Sequence, residues 1–121
     1  MVILLCEDDS DVRIILESLL TELGAAVHSV SNGLEALAII NAKEIEFDIL
    51  ITDFNMPRMN GDELVKTIIK KKVNFKKIIM ISGRHENSRE IENLVSQNPI
   101  ISFLPKPLDI DKLIVKILFD S

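Results

Sequence analysis

Short apolar segments alternate with amphipathic segments along the whole chain. Five runs, residues 2–6, 26–30, 47–52, 78–81 and 100–104, have the length and composition of strands. Apolar runs of this kind are typical of strands that are buried on both faces of a parallel sheet. Amphipathic segments with a helical period follow each run. The fivefold alternation predicts right-handed crossovers and a doubly wound, five-stranded α/β/α sandwich of three layers.

The helical period predicts which side chains face the sheet. The inward residues are Val12, Leu16, Leu19, Leu20 and Leu23 in the first helix, Leu34, Leu37, Ala38 and Asn41 in the second, and Leu64, Val65, Ile68 and Ile69 in the third. The fourth helix, residues 85–97, offers only Ile91, Leu94 and Val95, and the last helix spans 109–119. Gly24 predicts the end of the first helix, and Asn32 with Glu35 resembles a capping box. Pro99 ends the fourth helix, and Pro105 and Pro107 are expected to break the fifth strand.

Composition narrows the class of protein. A chain of 121 residues is the size of one domain, and five Phe with no Tyr or Trp predict an aliphatic core. The net charge of −5 argues against direct binding of nucleic acid. Cys6, the single cysteine, excludes a disulfide framework and suits the reducing cytoplasm, and its place in a buried strand predicts an inert thiol. No apolar run approaches the roughly 20 residues that span a bilayer, so we expect no membrane partner.

Polar side chains collect where the predicted strands end. They are Glu7, Asp8 and Asp9 after the first strand, Asp53 and Asn55 after the third, Ser82 after the fourth and Lys106 after the fifth. Because the carboxyl ends of parallel strands share one edge, we expect these groups to converge. Taken alone, Asp53 would more often be a loop or helix cap. In this company it is a candidate nucleophile for phosphoryl transfer.

The expected chemistry follows from charge. Several carboxylates cannot lie close together in ionised form unless a cation joins them. Oxygen ligands select Mg²⁺, with Mn²⁺ as an alternative. The Lys106 ammonium suits a phosphoryl oxygen, and the Ser82 hydroxyl can donate a hydrogen bond to another.

The motifs Glu7-Asp8, Asp53, Ser82 and Lys106-Pro107, together with the run from Asp53 to Pro57 and Gly61 four residues later, resemble the receiver domain of two-component response regulators. The resemblance covers residues 2–119. It implies a flavodoxin-like sheet in the order 2-1-3-4-5 and a single receiver domain over residues 1–121.

The resemblance also implies the role of each acid. Asp53 would be the phosphoacceptor, Asp8 would bind Mg²⁺ directly, and Glu7 would act partly through water. The backbone carbonyl of Asn55 would be a further metal ligand. Arg13, five residues after Asp8, favours Asp8 as the second acid of the pair. Asp9 would then be the N-terminal acid of the first helix, although it stays open as an alternative metal ligand.

Other residues take roles by the same resemblance. Ser82 would bind a phosphoryl oxygen and move, and Phe103 would be the switch aromatic, with a plain core phenylalanine as the alternative. The Lys106–Pro107 bond is expected to be cis, the isomer that X–Pro bonds adopt most readily. We hypothesise that Arg84 and Asn55 control the access of water and so the lifetime of the phosphoryl group.

The implied function is a phosphorelay switch rather than an enzyme, with self-catalysed phosphotransfer and slow autodephosphorylation only. A sensor histidine kinase or a histidine phosphotransfer protein would donate the phosphoryl group. The fourth helix, fifth strand and fifth helix would then engage a downstream target, an output domain or a second copy of the chain. One alternative is a metal-dependent phosphatase with an aspartyl nucleophile, although the second acid it needs is replaced by Asn55. The other is a receiver-like binding module that is not phosphorylated.

Several other residues are predicted to have ordinary roles at the protein surface. His28 and His85 share no ligand spacing and are interpreted as surface residues. The lysines from Lys70 to Lys77 form a basic strip, which we interpret as a solvated face, with a docking patch as the alternative.

Overall fold

The computed structural model describes residues 1–83 and 88–119. In that part of the chain, five strands form one parallel sheet in the order β2-β1-β3-β4-β5. The elements are β1 (Val2–Cys6), α1 (Ser10–Glu22), β2 (Ala26–Val30), α2 (Gly33–Ala42), β3 (Ile49–Asp53), α3 (Gly61–Lys70), β4 (Lys77–Gly83), α4 (Ser88–Gln97), β5 (Ile101–Lys106) and α5 (Ile110–Leu118). This arrangement confirms the predicted fold class. None of the helices described is long and apolar enough to cross a bilayer.

The sheet separates two apolar clusters. Helices α2, α3 and α4 cover one face, where Leu4, Leu50 and Ile78 are fully buried. Helices α1 and α5 cover the other face, where Ile51 and Ile79 are fully buried. The central strands are therefore buried on both sides, which explains their nearly continuous apolar sequences.

Helix α2 packs through a different face from the one predicted. The prediction was wrong for Leu34, Ala38 and Asn41, which are exposed. Ala36 and Ile40 are buried instead, and Leu37 packs partly against the core. The face that begins with Gly33 is turned inward, in tight contact with Met59: a Cβ on Gly33 would lie 2.9 Å from the Met59 side chain. The helix is apolar on almost every side, so its sequence period did not select the face.

Helices α1 and α4 bury fewer side chains against the sheet than their patterns predicted. Leu16, Leu20, Ile91 and Leu94 are buried as expected, and Leu19 is half-buried. The prediction was wrong for Val12, Leu23 and Val95, each 37% exposed. Each of these residues lies in the first or last turn of its helix or at its C-cap.

Strand β5 continues through Pro105 to Lys106, so the predicted break at Pro105 was wrong. β5 is one of the two edge strands of the sheet that the described residues form. The Ile78 N–H donates to the Ile100 carbonyl at 2.9 Å. Because alternate residues of a strand direct their N–H and C=O groups to opposite sides, those groups of the even-numbered residues in β5 point toward β4. Pro105 is odd-numbered, so its nitrogen faces the open edge and no ladder hydrogen bond is lost.

The predicted helix ends are present. Gly24 follows α1 with φ 93°. The Asn32 side chain accepts a hydrogen bond from the Glu35 N–H at 2.9 Å. The Glu35 carboxylate in turn accepts from the Ser31 N–H at 3.1 Å and from the Ser31 hydroxyl. These bonds lower the pKa of Glu35.

Candidate functional site

Three carboxylates meet at the carboxyl ends of β1 and β3. Oxygen atoms of Glu7, Asp8 and Asp53 lie within 4.8 Å of one another. The pairing of Cys6 with Thr52 in the ladder sets Glu7 beside Asp53. Glu7 is 4% exposed and Asp53 is 2% exposed, whereas Asp8 is open to solvent. The convergence predicted for these three acids is therefore present.

The backbone after β1 is held by local hydrogen bonds. The Arg13 guanidinium donates to the Glu7 carbonyl at 2.8 Å. The Asp9 N–H donates to the Glu7 carboxylate at 3.2 Å, and the Asp9 side chain accepts from the N–H groups of Asp11 and Val12. Asp9 is thus the N-cap of α1, which agrees with its interpretation as the N-terminal acid of the first helix. The sequence did not reveal that Arg13 contacts the backbone of Glu7.

The environment of Glu7 disfavours its ionised form. Burial, reinforced by the neighbouring Asp53 carboxylate, raises the pKa of Glu7 to about 8. Near neutral pH the site therefore holds a proton that a cation could replace. Burial also raises the pKa of Cys6 to about 12, which supports the interpretation of an inert thiol.

Lys106 extends from the end of β5 to the same acids. Its Nζ lies 3.1 Å from Oδ1 of Asp53. Partial burial opposes the charge of Lys106, but the carboxylates of Asp53, Glu7 and Asp8 together outweigh it, so the pKa of Lys106 is raised. The Lys106–Pro107 bond is cis, as the resemblance implied. Both Asp53 carboxylate oxygens are buried, and among the described residues no backbone N–H donates to either of them.

The backbone of Asp53 is fixed from two sides. The Phe54 N–H donates to the Ile81 carbonyl at 2.8 Å, and the Gly61 N–H donates to the Phe54 carbonyl at 2.6 Å. A Cβ on Gly61 would collide with the Asp53 carbonyl oxygen and lie 3.0 Å from the Phe54 Cα. The sequence placed Gly61 at a helix start and in the motif that carries the resemblance, but it did not reveal this steric role. The signal that the sequence offered was a glycine, a poor helix former, at the first helical position.

The remaining candidates surround this cluster. Asn55 is exposed and lines a pocket of about 500 Å³ together with Glu7, Asp8, Lys106 and Pro107. Ser82 is buried at the end of β4, one residue beyond Ile81, the partner of Asp53 in the ladder. Phe103 is half-buried against the core on the α4 side of the sheet. Arg84 and His85 lie outside the described residues. His28, interpreted as a surface residue, is half-buried in an edge-on contact with Phe47.

Comparisons with known proteins point in one direction. The family model of the response regulator receiver domain matches residues 3–118. A chemotaxis protein, the CheY homolog of Campylobacter jejuni, is 35% identical over 113 residues, which are 89% of this chain and 86% of that protein. The DNA-binding transcriptional regulator NtrC of Salmonella typhimurium is 34% identical over 110 residues, but this chain spans only 22% of its length.

A solved structure shows the same fold. The receiver domain of the Francisella response regulator 1452 superimposes with a TM-score of 0.82 at 28% identity, covering 96% of this chain and 92% of that one.

Proposed function

This chain belongs to the family of response regulator receiver domains, the phosphorelay domains of two-component systems, and we propose that Asp53 is its phosphoacceptor. The observation that supports this most directly is the state of the Asp53 carboxylate. It is buried, no backbone N–H of the described residues donates to it, and the Lys106 ammonium lies 3.1 Å from its Oδ1. A carboxylate that served as a loop or helix cap would accept hydrogen bonds from backbone N–H groups.

We propose that Mg²⁺, with Mn²⁺ as the alternative, binds beside this carboxylate. Glu7, Asp8, Asp53 and the main-chain carbonyl of Asn55 would hold it. The donor set fits, because it consists of oxygen atoms and its carboxylates already lie within 4.8 Å of one another. The raised pKa of Glu7 reflects its burial first and then the neighbouring Asp53 carboxylate, whose negative charge a cation would neutralise. When bound, the ion supplies positive charge to the carboxylates and to the phosphoryl oxygens.

The proposed transfer uses groups already in place. An Asp53 oxygen attacks the phosphorus of a phosphohistidine, and the new O–P bond forms as the N–P bond breaks. The electron pair of the broken bond returns to the donor imidazole. Lys106 then exchanges its contact with the carboxylate for one with a phosphoryl oxygen, and the Ser82 hydroxyl donates to another.

The proposed switch surface consists of α4, β5 and α5. Ser82 pairs with Pro105 and Met80 pairs with Phe103 in the same ladder, so a shift of Ser82 would bear directly on β5. Helix α4 buries only Ile91 and Leu94 among its described side chains, and we propose that it is held loosely enough to shift. We propose that this surface binds a downstream target, an output domain or a second phosphorylated copy.

The phosphodonor protein requires a surface near the pocket. Ile14 and Ile15 on α1 are 64% and 58% exposed, although they are large and apolar. Helix α1 begins at the acidic cluster, so a protein docked on it could present a phosphohistidine to Asp53. We propose that a sensor histidine kinase or a histidine phosphotransfer protein docks there, in the cytoplasm that the single buried cysteine favours.

Two residues are proposed to set the lifetime of the phosphoryl group. Asn55 stands exposed at the rim of the pocket, where it can admit or exclude water. Arg84, two residues after Ser82 in the sequence, is proposed to have the same effect. Timing the dephosphorylation of Asn55→Ala and Arg84→Ala checks this role, and lifetimes equal to that of the wild type would reject it.

A small phosphodonor tests the central proposal without a kinase. The wild-type chain, incubated with acetyl phosphate and Mg²⁺, should gain the mass of one phosphoryl group. Asp53→Asn should gain none and should keep the circular dichroism of the wild type. Asp111→Asn, on the exposed side of α5, is the matched control and should react fully. Full phosphorylation of Asp53→Asn would identify a different carboxylate, and rapid turnover of phosphomonoesters would favour the phosphatase alternative.

A further inference from the structure

A second concave site lies at the end of the sheet opposite Asp53. It is a groove of about 820 Å³ between the α2–β3 connection and the α3–β4 connection. Its volume falls in the range of about 300 to 1,000 Å³ that is typical of small-molecule sites. The receiver chemistry proposed above uses none of its residues.

The floor of the groove is aromatic and aliphatic. Phe47 and Phe75 form a near-parallel pair, with ring centroids 6.4 Å apart and an interplanar angle of 17°. They are 8% and 4% exposed, so only part of each ring reaches the groove. Ile45 and Val73, both half-buried, extend this apolar floor. A flat aryl group could lie on it and make the offset or edge contacts that aromatic rings prefer.

The rim of the groove is basic, although the chain as a whole carries a net charge of −5. The charged residues that line it are Lys43, Lys71, Lys72, Lys76, Glu46 and Asp48. Asp48 is already engaged, because it accepts a hydrogen bond from the Val2 N–H at 2.8 Å and pairs with Lys76 at 3.4 Å. Among the described residues, the ammonium groups of Lys43 and Lys72 have no hydrogen bond or ion pair. The groove therefore has positive charge to offer a ligand.

The left-handed backbone conformation of these two lysines supports a functional role for their charges. Helix α3 ends with hydrogen bonds from Lys72 N–H to Ile69 carbonyl and from Val73 N–H to Ile68 carbonyl, both 3.1 Å. Helix α1 ends with the same pattern of bonds, and Gly24 occupies the equivalent left-handed position.

In α3 that position holds Lys72 with φ 58°, and Lys43 ends α2 with φ 56°. A left-handed conformation costs a residue with a Cβ about 1 kcal/mol, which glycine avoids. A lysine can also interact favourably with a helix C-terminus from a residue with negative φ, so this interaction does not require the left-handed position. Both left-handed lysines line the same groove, where an anion would contact them.

We propose that this groove binds a small anion with an aromatic body, such as an aryl carboxylate, sulfonate or phosphate. The rings would rest on Phe47 and Phe75, and the anionic group would be neutralised by Lys43 and Lys72. The ligand class follows from the floor and the rim together, because neither feature alone selects an aromatic anion.

A pair of fluorescent probes tests this directly. Anilinonaphthalene sulfonate has the required aryl body and anion, and N-phenylnaphthylamine is the same body without the charge. The wild-type chain has no Trp or Tyr to interfere. We expect one sulfonate probe per chain and an affinity about tenfold higher than for the neutral probe, since two charged contacts contribute about 1.4 kcal/mol. Backbone amide shifts should locate the sulfonate at residues 43–48 and 71–76.

The variant Lys43→Gly/Lys72→Gly removes both charges and suits both left-handed positions. It should unfold no more easily than the wild type and should bind the sulfonate probe about tenfold more weakly. Lys112→Gln, an exposed lysine on α5, is the matched control and should bind within about twofold of the wild type. Absence of binding, amide shifts elsewhere, equal affinity for the two probes or unchanged affinity of the double variant would each overturn the proposal.

Discussion

The buried carboxyl of Glu7 should make the stability of the metal-free chain depend on pH. Its pKa rises from 4.5 to about 8 on folding. The folded chain therefore binds this proton more tightly than the unfolded chain does. Below pH 4.5 both states are protonated and Glu7 contributes no penalty; stability then falls as pH rises toward 8 and levels off above it. At about 1.4 kcal/mol per pH unit, the full penalty is about 5 kcal/mol.

The substitution Glu7→Gln isolates this effect because it keeps the shape of the side chain and removes its titration. In a chelating buffer, the variant should match the wild type near pH 4 and exceed its stability by about 5 kcal/mol at pH 9. Urea unfolding followed by circular dichroism measures the difference at each pH. Glu22→Gln, an exposed glutamate at the end of α1, serves as the control. It should show a difference below about 0.5 kcal/mol at every pH.

The result that would refute this reasoning is a difference between Glu7→Gln and wild type that stays constant from acid to alkaline pH. Such a result would mean that Glu7 is ionised in the folded chain without penalty. Mg²⁺ binding provides a second check, because an ion at this site would displace the proton from the Glu7 carboxyl. Its affinity for the wild type should rise up to about tenfold per pH unit below pH 8, and that dependence should be lost in the variant.

Three further substitutions test individual contacts. Gly61→Ala should cost about 1 to 3 kcal/mol and slow phosphorylation, because its Cβ would collide with the backbone of Asp53, the proposed phosphoacceptor. Gly24→Ala should cost about 1 kcal/mol and leave phosphorylation unchanged. Equal phosphorylation rates in the two variants would contradict this. Asn32→Ala should lower the free energy of unfolding by about 1 kcal/mol through loss of the α2 cap, and a thermal midpoint equal to that of the wild type would contradict it. Lys77→Met should cost about 1 to 2 kcal/mol, because its ammonium donates to two carbonyls at the end of α5 at 2.7 and 2.9 Å. Lys76→Met, 79% exposed, is its control and should leave the urea midpoint nearly unchanged; equal losses in both variants would show that those two bonds contribute little.

The fold and the position of the acids could be predicted because both depend on strong local patterns. Continuous apolar runs separated by amphipathic segments leave few arrangements other than a doubly wound parallel sheet. Once the strands are parallel, residues that follow them must meet at one edge, as Glu7, Asp8, Asp53 and Lys106 do. Their functional roles come from the resemblance and stay predictions.

Details that depend on tertiary contacts could not be predicted from local pattern. The inward face of α2 is set by the close approach of Gly33 to Met59, which lies in a distant part of the sequence. The steric requirement at Gly61 depends on where α3 meets the end of β3. The raised pKa of Glu7 requires both burial and a second carboxylate, so it emerges only after folding.

The direction of the Pro105 nitrogen affects how this chain meets other proteins. A sheet edge with regularly spaced N–H groups can recruit a strand from another molecule, which leads to misassembly and aggregation. At the end of β5 that adjoins Asp53, the open edge lacks one such donor because Pro105 occupies that place. A strand added there would lose one ladder hydrogen bond, so side-chain contacts would contribute relatively more to binding at this end of β5. Pro105 thus disfavours edge-to-edge pairing through this part of β5.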